Sequence, residues 1–320
     1  MRVVTAIALL LMAGVRDGAA SGPPPSGAVP AAALIQDAPP AAAPAPGRGR
    51  GGRGGFGPIV LNPDDVAAFP EPADAIVAVR DGIARGRLEM IEYESKTVGT
   101  RRKMHVYTPP GYTAGRKYPV LYLLHGLGGD ETEWQRFATP GVMLDNLIAD
   151  GRATPMIVVM PNGRAQVNDR AEGDIMAAAP AFATFERDLL DDVIPAIESR
   201  YAASALREDR ALAGLSMGGG QTLNFGLAHL DRFAWLGAFS SAPNTKPPAD
   251  LVPDPAAVTR QLKLFYLSCG NKDNLFPISQ RLHVSLKERN VPHVWNVDGH
   301  AHDPTHWRNN LYHFVQRLFR

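Results

Sequence analysis

Cysteine is nearly absent: Cys269 is the one cysteine in 320 residues. That excludes an internal disulfide framework and any cysteine-built zinc cage. Cys269 itself reads as a small buried hydrophobe at a strand end. An excess of either charge is also lacking. The chain has 33 Lys and Arg against 32 Asp and Glu, a net charge of +1, so it offers nucleic acid or an acidic membrane surface no electrostatic footing. Apolar runs of membrane length are missing, because the one candidate, residues 3–15, is too short to span a bilayer comfortably. We find no internal repeat, no cofactor motif, no separate carbohydrate-binding module and no Gly-Lys-Ser/Thr ending of a phosphate cradle.

The composition that is present, 45% hydrophobic and 20% charged, suits a globular protein with a sizeable core. Residues 1–20 resemble a secretory signal. Arg2 gives a positive start, the apolar run follows, and Gly18-Ala19-Ala20 offers small residues for cleavage. No cysteine follows for a lipid anchor, so export to a periplasm or the outside is expected, with no stable membrane insertion once the signal is removed. Residues 21–58 are dominated by Pro, Ala and Gly and bury too little apolar surface to offset chain entropy. They read as a disordered linker, and the Arg-Gly run at 47–55 as part of a solvated tether. Residues 59–320 then form one domain.

Two runs, residues 88–95 and 103–108, read as antiparallel strands, the second ended by Pro109-Pro110-Gly111. Short, almost uniformly apolar runs follow at 118–124, 156–160, 211–213, 235–239, 262–267 and 293–297. Such runs suit strands buried on both faces of a parallel sheet. Helical spacing marks 185–201, 222–230, 277–290 and 307–319 between and after them. The pattern predicts a three-layer, doubly wound α/β sandwich: a mostly parallel sheet with an antiparallel N-terminal start. Long connections are expected at 162–184 and 240–261, where a substrate pocket would open.

Gly214-Leu215-Ser216-Met217-Gly218 stands between the run at 211–213 and a helix. A serine flanked this way can sit on a sharp strand-to-helix turn with its hydroxyl free, so Ser216 is the candidate nucleophile. A hydroxyl needs a base, usually a histidine oriented by a carboxylate. Asp273 lies after the run at 262–267, and Asp298-Gly299-His300-Ala301-His302-Asp303 after the next. Residue type and order alone leave His300 and His302 open as base, and Asp298 and Asp303 as rivals to Asp273. An oxyanion hole would take the N–H of Met217 and one from His125-Gly126-Leu127-Gly128-Gly129, assigned to Leu127. His300, His302, Asp303 and His306 also resemble a metal-ligand cluster, but a metal would leave the serine turn and the glycine loop without purpose. No metal or cofactor is expected.

With these residues located, the region from about 88 to 319 resembles the esterase D and feruloyl esterase group of α/β hydrolases (carbohydrate esterase family 1-like). The resemblance rests on Val106-Tyr107-Thr108-Pro109-Pro110-Gly111-Tyr112, on Leu123 to Gly129 with Trp134, on Val159-Met160-Pro161-Asn162-Gly163, on the serine turn, and on Gly270-Asn271-Lys272-Asp273. The group shows a tryptophan five residues after its catalytic histidine. Trp307 stands so relative to His302, although Ala301 replaces the preceding glycine. The resemblance therefore implies His302 as base and Asp273 as acid. It also implies hydrolysis of carboxylic esters through an acyl-enzyme, on small-molecule or polysaccharide substrates such as hydroxycinnamoyl esters of xylan. Trp134 and Asn162 are expected to line the substrate pocket. Acyl transfer to sugars, as in mycolyltransferases, and a silent carbohydrate-binding protein are the alternatives.

Overall fold

Short apolar runs such as Val120–Leu124 and Trp235–Phe239, buried at every position, build an eight-stranded sheet. In the computed structural model residues 58–320 are described, and all belong to one compact unit. The expected signal at 1–20 and nearly all of the linker at 21–58 lie outside the described residues. The strands are β1 (Arg87–Ser95), β2 (Thr100–Thr108), β3 (Val120–Leu124), β4 (Ile157–Pro161), β5 (Arg210–Leu215), β6 (Trp235–Phe239), β7 (Leu264–Gly270) and β8 (Val294–Asp298). Their order across the sheet is β1-β2-β4-β3-β5-β6-β7-β8. β1 pairs antiparallel with β2, and β2 with β4; every later pairing is parallel. This is the expected doubly wound architecture of an α/β hydrolase.

The helices are α1 (Glu133–Phe137), α2 (Pro140–Ala149), α3 (Ala179–Arg187), α4 (Ile194–Arg200), α5 (Met217–Ala228), α6 (Pro248–Leu251), α7 (Pro255–Gln261), α8 (Phe276–Glu288) and α9 (Pro304–Val315). Side chains alternate across a strand, and the central strands sort them into two cores. Val120, Tyr122 and Leu124 of β3 join α3 to α8 in one cluster. Leu121 and Leu123 join α1, α2 and α9 in the other. Both faces are covered, so the central strands are apolar throughout.

Three expectations need correction. The connection at 240–261 holds two short helices, because Pro248 and Pro255 each occupy a first helical turn, where proline's missing N–H costs nothing. The helix predicted at 185–201 is α3, a π-helical stretch Asp188–Val193 and α4. The widened turn lets Asp188 accept from Tyr93 and Ser95 of β1 and pair with Arg102 of β2, while Asp192 accepts from the Thr97 N–H at 3.0 Å. β7 runs to Gly270 rather than stopping at 267, since the hydroxyl of buried Ser268 finds a partner, His306, on α9.

Candidate active site

Ser216 sits between β5 and α5 with φ 51° and ψ −117°, a conformation L-residues rarely adopt and one that persists only when its surroundings hold it. They do so through the end of β6. The Ser216 N–H donates to Phe239 O at 2.9 Å, and the Ala242 N–H donates to Ser216 O at 3.0 Å. Glycine is required on both sides of the turn. A Cβ on Gly214 would lie 2.5 Å from the Gly218 backbone, and one on Gly218 would lie 2.6 Å from His125 O.

His302 reaches this turn from the loop between β8 and α9. Its Nε2 is 2.9 Å from Ser216 Oγ, and its Nδ1 is 2.8 Å from Asp273 Oδ2. Asp273 lies on the turn after β7, 1% exposed, and its other oxygen accepts from the Leu275 N–H at 2.7 Å. Burial alone would raise the Asp273 carboxyl. The bond from His302, its positive charge when protonated, and the Leu275 and Ser240 donors outweigh burial and hold it below the usual range. An ionised Asp273 accepts the Nδ1 proton of His302, which leaves Nε2 free to accept from the Ser216 hydroxyl. Three residues from three loops at the carboxyl edge of the sheet thus stand in one hydrogen-bonded series, the arrangement that a nucleophile, a base and its orienter require.

The rivals lie elsewhere. His300 turns outward to Glu71, 2.8 Å away. Asp303 caps α9 by accepting from the N–H groups of Thr305 and His306. Asp298 accepts from the His300 N–H with one oxygen and meets His306 Nδ1 at 2.7 Å with the other. His306 in turn lies 3.2 Å from Ser268 Oγ. The chain therefore carries a second Ser–His–Asp series beside the first, with Ser268 and His306 both 0% exposed. The histidines expected as alternative metal ligands are divided among these separate partners. Among the described residues, the acid-and-histidine group close enough to share a cation is Asp64, Asp65 and His283, elsewhere in the fold, and Lys287 already occupies Asp64.

The glycine loop after β3 packs on the nucleophile. A Cβ on Gly126 would fall 2.8 Å from Leu215 Cδ1 and 3.4 Å from Ser216 Cβ. The Gly126 carbonyl accepts from the Gly129 N–H at 3.1 Å and meets His125 Nδ1 at 2.7 Å. In a trans peptide the N–H points opposite the carbonyl, so these contacts turn the Leu127 N–H away from His125. The His125 tautomer follows from its partners. Its Nε2 accepts from the Gly163 N–H at 2.7 Å, so Nδ1 carries the proton donated to Gly126. Burial keeps this imidazole neutral by lowering its pKa.

Trp134 and Asn162 do not line open space. Trp134 is 1% exposed and donates from Nε1 to Leu124 O at 3.0 Å. Asn162 is 0% exposed and donates to Asp169 O at 2.9 Å. Both are framework beneath the loop rather than substrate contacts: their polar atoms are consumed internally. A small apolar cluster of Phe182, Met217 and Ala242, with Leu127, Ala179 and Leu275 packed against it, joins the serine turn through Met217, the next residue, and Ala242, whose N–H donates to Ser216 O. That makes an apolar flank to the serine turn. Sequence reading missed this flank, and also Arg164, Arg170 and Glu131 behind the glycine loop, because neither set is marked by spacing along the chain.

The sequence model of the Esterase family, described as "Putative esterase", matches residues 95–311. An endo-1,4-beta-xylanase/feruloyl esterase of Xylanibacter ruminicola is 35% identical over 258 residues, 79% of this chain and 34% of the relative. An esterase of Mycobacterium tuberculosis is 31% identical over 166 residues, 52% of this chain and 33% of the relative. The chain thus spans about a third of the length of these curated relatives. Among solved structures, the CE1 ferulic acid esterase of the anaerobic fungus Anaeromyces mucronatus superposes with TM-score 0.68 at 26% identity, covering 78% of this chain and 96% of that one. With the family match running from the end of β1 into α9, this chain belongs to the Esterase family of α/β hydrolases.

Proposed function

We propose that the protein is a serine carboxylic-ester hydrolase that works through an acyl-enzyme, with hydroxycinnamoyl (feruloyl) esters of carbohydrates as substrates. The observation that carries the reading is the contact chain Ser216 Oγ–His302–Asp273, 2.9 and 2.8 Å long, on a strained turn at the carboxyl edge of the sheet. In the first half-reaction the Ser216 hydroxyl gives its proton to His302 Nε2 as Oγ bonds to the ester carbonyl carbon. The N–H groups of Leu127 and Met217 receive the resulting oxyanion; among the described residues neither N–H has an assigned acceptor. The carbon–oxygen bond to the alcohol then breaks, and His302 returns the proton to the departing alcohol. Water repeats the sequence on the acyl-enzyme and frees the acid.

Two observations favour an aromatic acyl group. The flank of Met217, Phe182, Leu127 and Leu275 is apolar, and the Anaeromyces relative has been solved in complex with ferulic acid. The signal-like residues 1–20 and linker-like 21–58 support export of a catalytic unit at 59–320 to the periplasm or the outside. Among the described residues no helix is long and apolar enough to cross a membrane.

Turnover of methyl ferulate, 4-nitrophenyl acetate and a long-chain 4-nitrophenyl ester, measured side by side, tests the reading. The ferulate is expected to give the highest kcat/KM, and Ser216→Ala to remove about 10⁶-fold of kcat. Undiminished turnover in Ser216→Ala rejects the mechanism. A preference for the long-chain ester rejects the substrate class. Acyl transfer outrunning hydrolysis when a sugar acceptor is added would reassign the enzyme as a transferase.

A further inference from the structure

Arg164 follows the Asn162-Gly163 pair after β4 and is 0% exposed. A buried guanidinium ordinarily has a carboxylate against it, since an unpaired charge in the interior is costly. Among the described residues no carboxylate forms an ion pair with Arg164; its ion-pairing neighbours are Arg102 and Arg170, which take Asp188, Asp169, Asp130 and Glu131. Arg164 spends its donors on carbonyls instead. Nη2 donates to Leu127 O, and Nη1 donates to Asp169 O at 2.9 Å and more weakly to Gly129 O at 3.4 Å. Its Nε has no partner. The guanidinium lies over the Phe182 ring, 5.3 Å from the centroid, and Phe182 belongs to the apolar cluster that contains Met217, the residue after the serine.

Two of those three carbonyls belong to the glycine loop, one of them to the residue whose N–H we assign to the oxyanion. A carboxylate grips the same loop: the Gly126 N–H donates to Glu133 Oε2 at 2.7 Å. A negative charge there opposes the build-up of an oxyanion. A full positive charge held dry, one peptide behind the loop, does the reverse, and buried fixed charge acts most strongly where water is excluded.

We infer that Arg164 is a positioning and polarising residue for the oxyanion hole: it fixes the Leu127 and Gly129 carbonyls and turns a positive charge toward the transition state. Asp169, Asp130 and Glu133 offset that charge only from a distance, without a direct ion pair. Arg164 touches neither substrate nor the reacting atoms. The inference rests on the serine-hydrolase reading above and deepens it. The role is differential, because the charge matters more to the tetrahedral oxyanion than to the bound ester.

The test uses the full-length protein and the Arg164→Gln and Arg164→Lys variants. Active serine is counted by titration with a fluorophosphonate, so misfolded protein drops out of the rate. Three quantities are read: kcat per titrated serine, KM, and the inhibition constant of an arylboronic acid, whose serine adduct is tetrahedral and anionic. For Arg164→Gln, kcat is expected to fall about 10–100-fold, less than the loss from deleting a direct donor. Boronate binding should weaken by a similar factor while KM stays within about threefold. Arg164→Lys, which keeps the charge, should recover most of both. Should the glutamine variant not fold, the lysine variant still decides, with kcat and boronate affinity falling together by less than tenfold. The inference is overturned by native kcat in Arg164→Gln, or by KM rising while boronate affinity is unchanged in either variant. Lack of ester turnover and of serine labelling in the unsubstituted protein would instead reject the hydrolase reading itself.

Discussion

Substituting His313 by phenylalanine isolates one buried proton-binding site and makes it measurable. His313 lies on α9, 8% exposed. It stacks on Phe69 at 4.8 Å, and its Nε2 donates to Pro70 O at 3.1 Å. It thereby ties the segment before β1 to the last helix. Burial, reinforced by the positive charge of Arg317, lowers its pKa from 6.5 to about 4. The folded protein therefore holds this imidazole neutral in a range where the unfolded chain protonates it. Between pH 6.5 and about 4 the unfolded state binds the extra proton, so stability falls as the pH falls and levels off below. An interval of about 2.5 pH units at 1.36 kcal/mol each sets a ceiling of about 3 kcal/mol. Local detachment of the segment at 58–78 would reduce it to about 1–2 kcal/mol. The assay is urea unfolding of the wild type and His313→Phe from pH 8 to 4.5. Phenylalanine keeps the stacking surface and forfeits one hydrogen bond, about 1 kcal/mol independent of pH. The stability difference should shrink, and then reverse sign, as the pH drops. Parallel stability curves for the two proteins would refute the reasoning, because the other histidines whose pKa burial lowers, His125 and His293, titrate identically in both.

The remaining predictions concern the site. His302→Ala should lose at least 10³-fold in kcat, on the order expected for a triad member. His300→Ala, which removes only an exposed contact to Glu71, should stay within about threefold; steady-state kinetics on 4-nitrophenyl acetate separates the two. Asp273→Asn should cost about 10³–10⁴ in kcat with little change in KM, since the amide oxygen would keep the Leu275 N–H and the NH2 would donate to Nδ1, which selects the wrong tautomer. Gly218→Ala drives a Cβ to within 2.7 Å of two backbone oxygens, so thermal unfolding should show a loss of about 1–3 kcal/mol, with activity lost as the turn shifts.

The parts legible in the sequence were those encoded by neighbours. Uninterrupted runs such as Val120–Leu124 and Trp235–Phe239 announce strands buried on both sides, and the Gly-x-Ser-x-Gly turn announces its own geometry. The order of acid and then histidine after successive strands was legible for the same reason, although order alone left His300 open beside His302 and Asp298 and Asp303 beside Asp273. α5 was harder. Its first turn contains Gly218-Gly219-Gly220, poor helix formers; at Gly218 and Gly220 neighbouring backbone and side chains approach too closely for a Cβ, and at Gly219 the fit is tight. Residues whose roles depend on distant partners were not legible at all. Arg102 contacts Asp188 and the carbonyls of Asn162 and Arg164, 60 or more residues away. A conspicuous aromatic such as Trp134 invites a role at the surface, yet its indole N–H is spent on a strand-end carbonyl.

Two serine–histidine–aspartate series stand in this sheet, one after β5 and one starting within β7, and interatomic distance alone barely tells them apart: 2.9 Å from Ser216 to its imidazole, 3.2 Å from Ser268 to its own. What separates them is backbone and access. Ser216 is thrust forward on a left-handed turn, whereas Ser268 is an ordinary strand residue sealed between β6 and β8. An electrophilic phosphonate should therefore modify a single serine in the native fold. A search that scores constellations by spacing would count two hits in this chain, and would need to ask which hydroxyl an incoming molecule can touch.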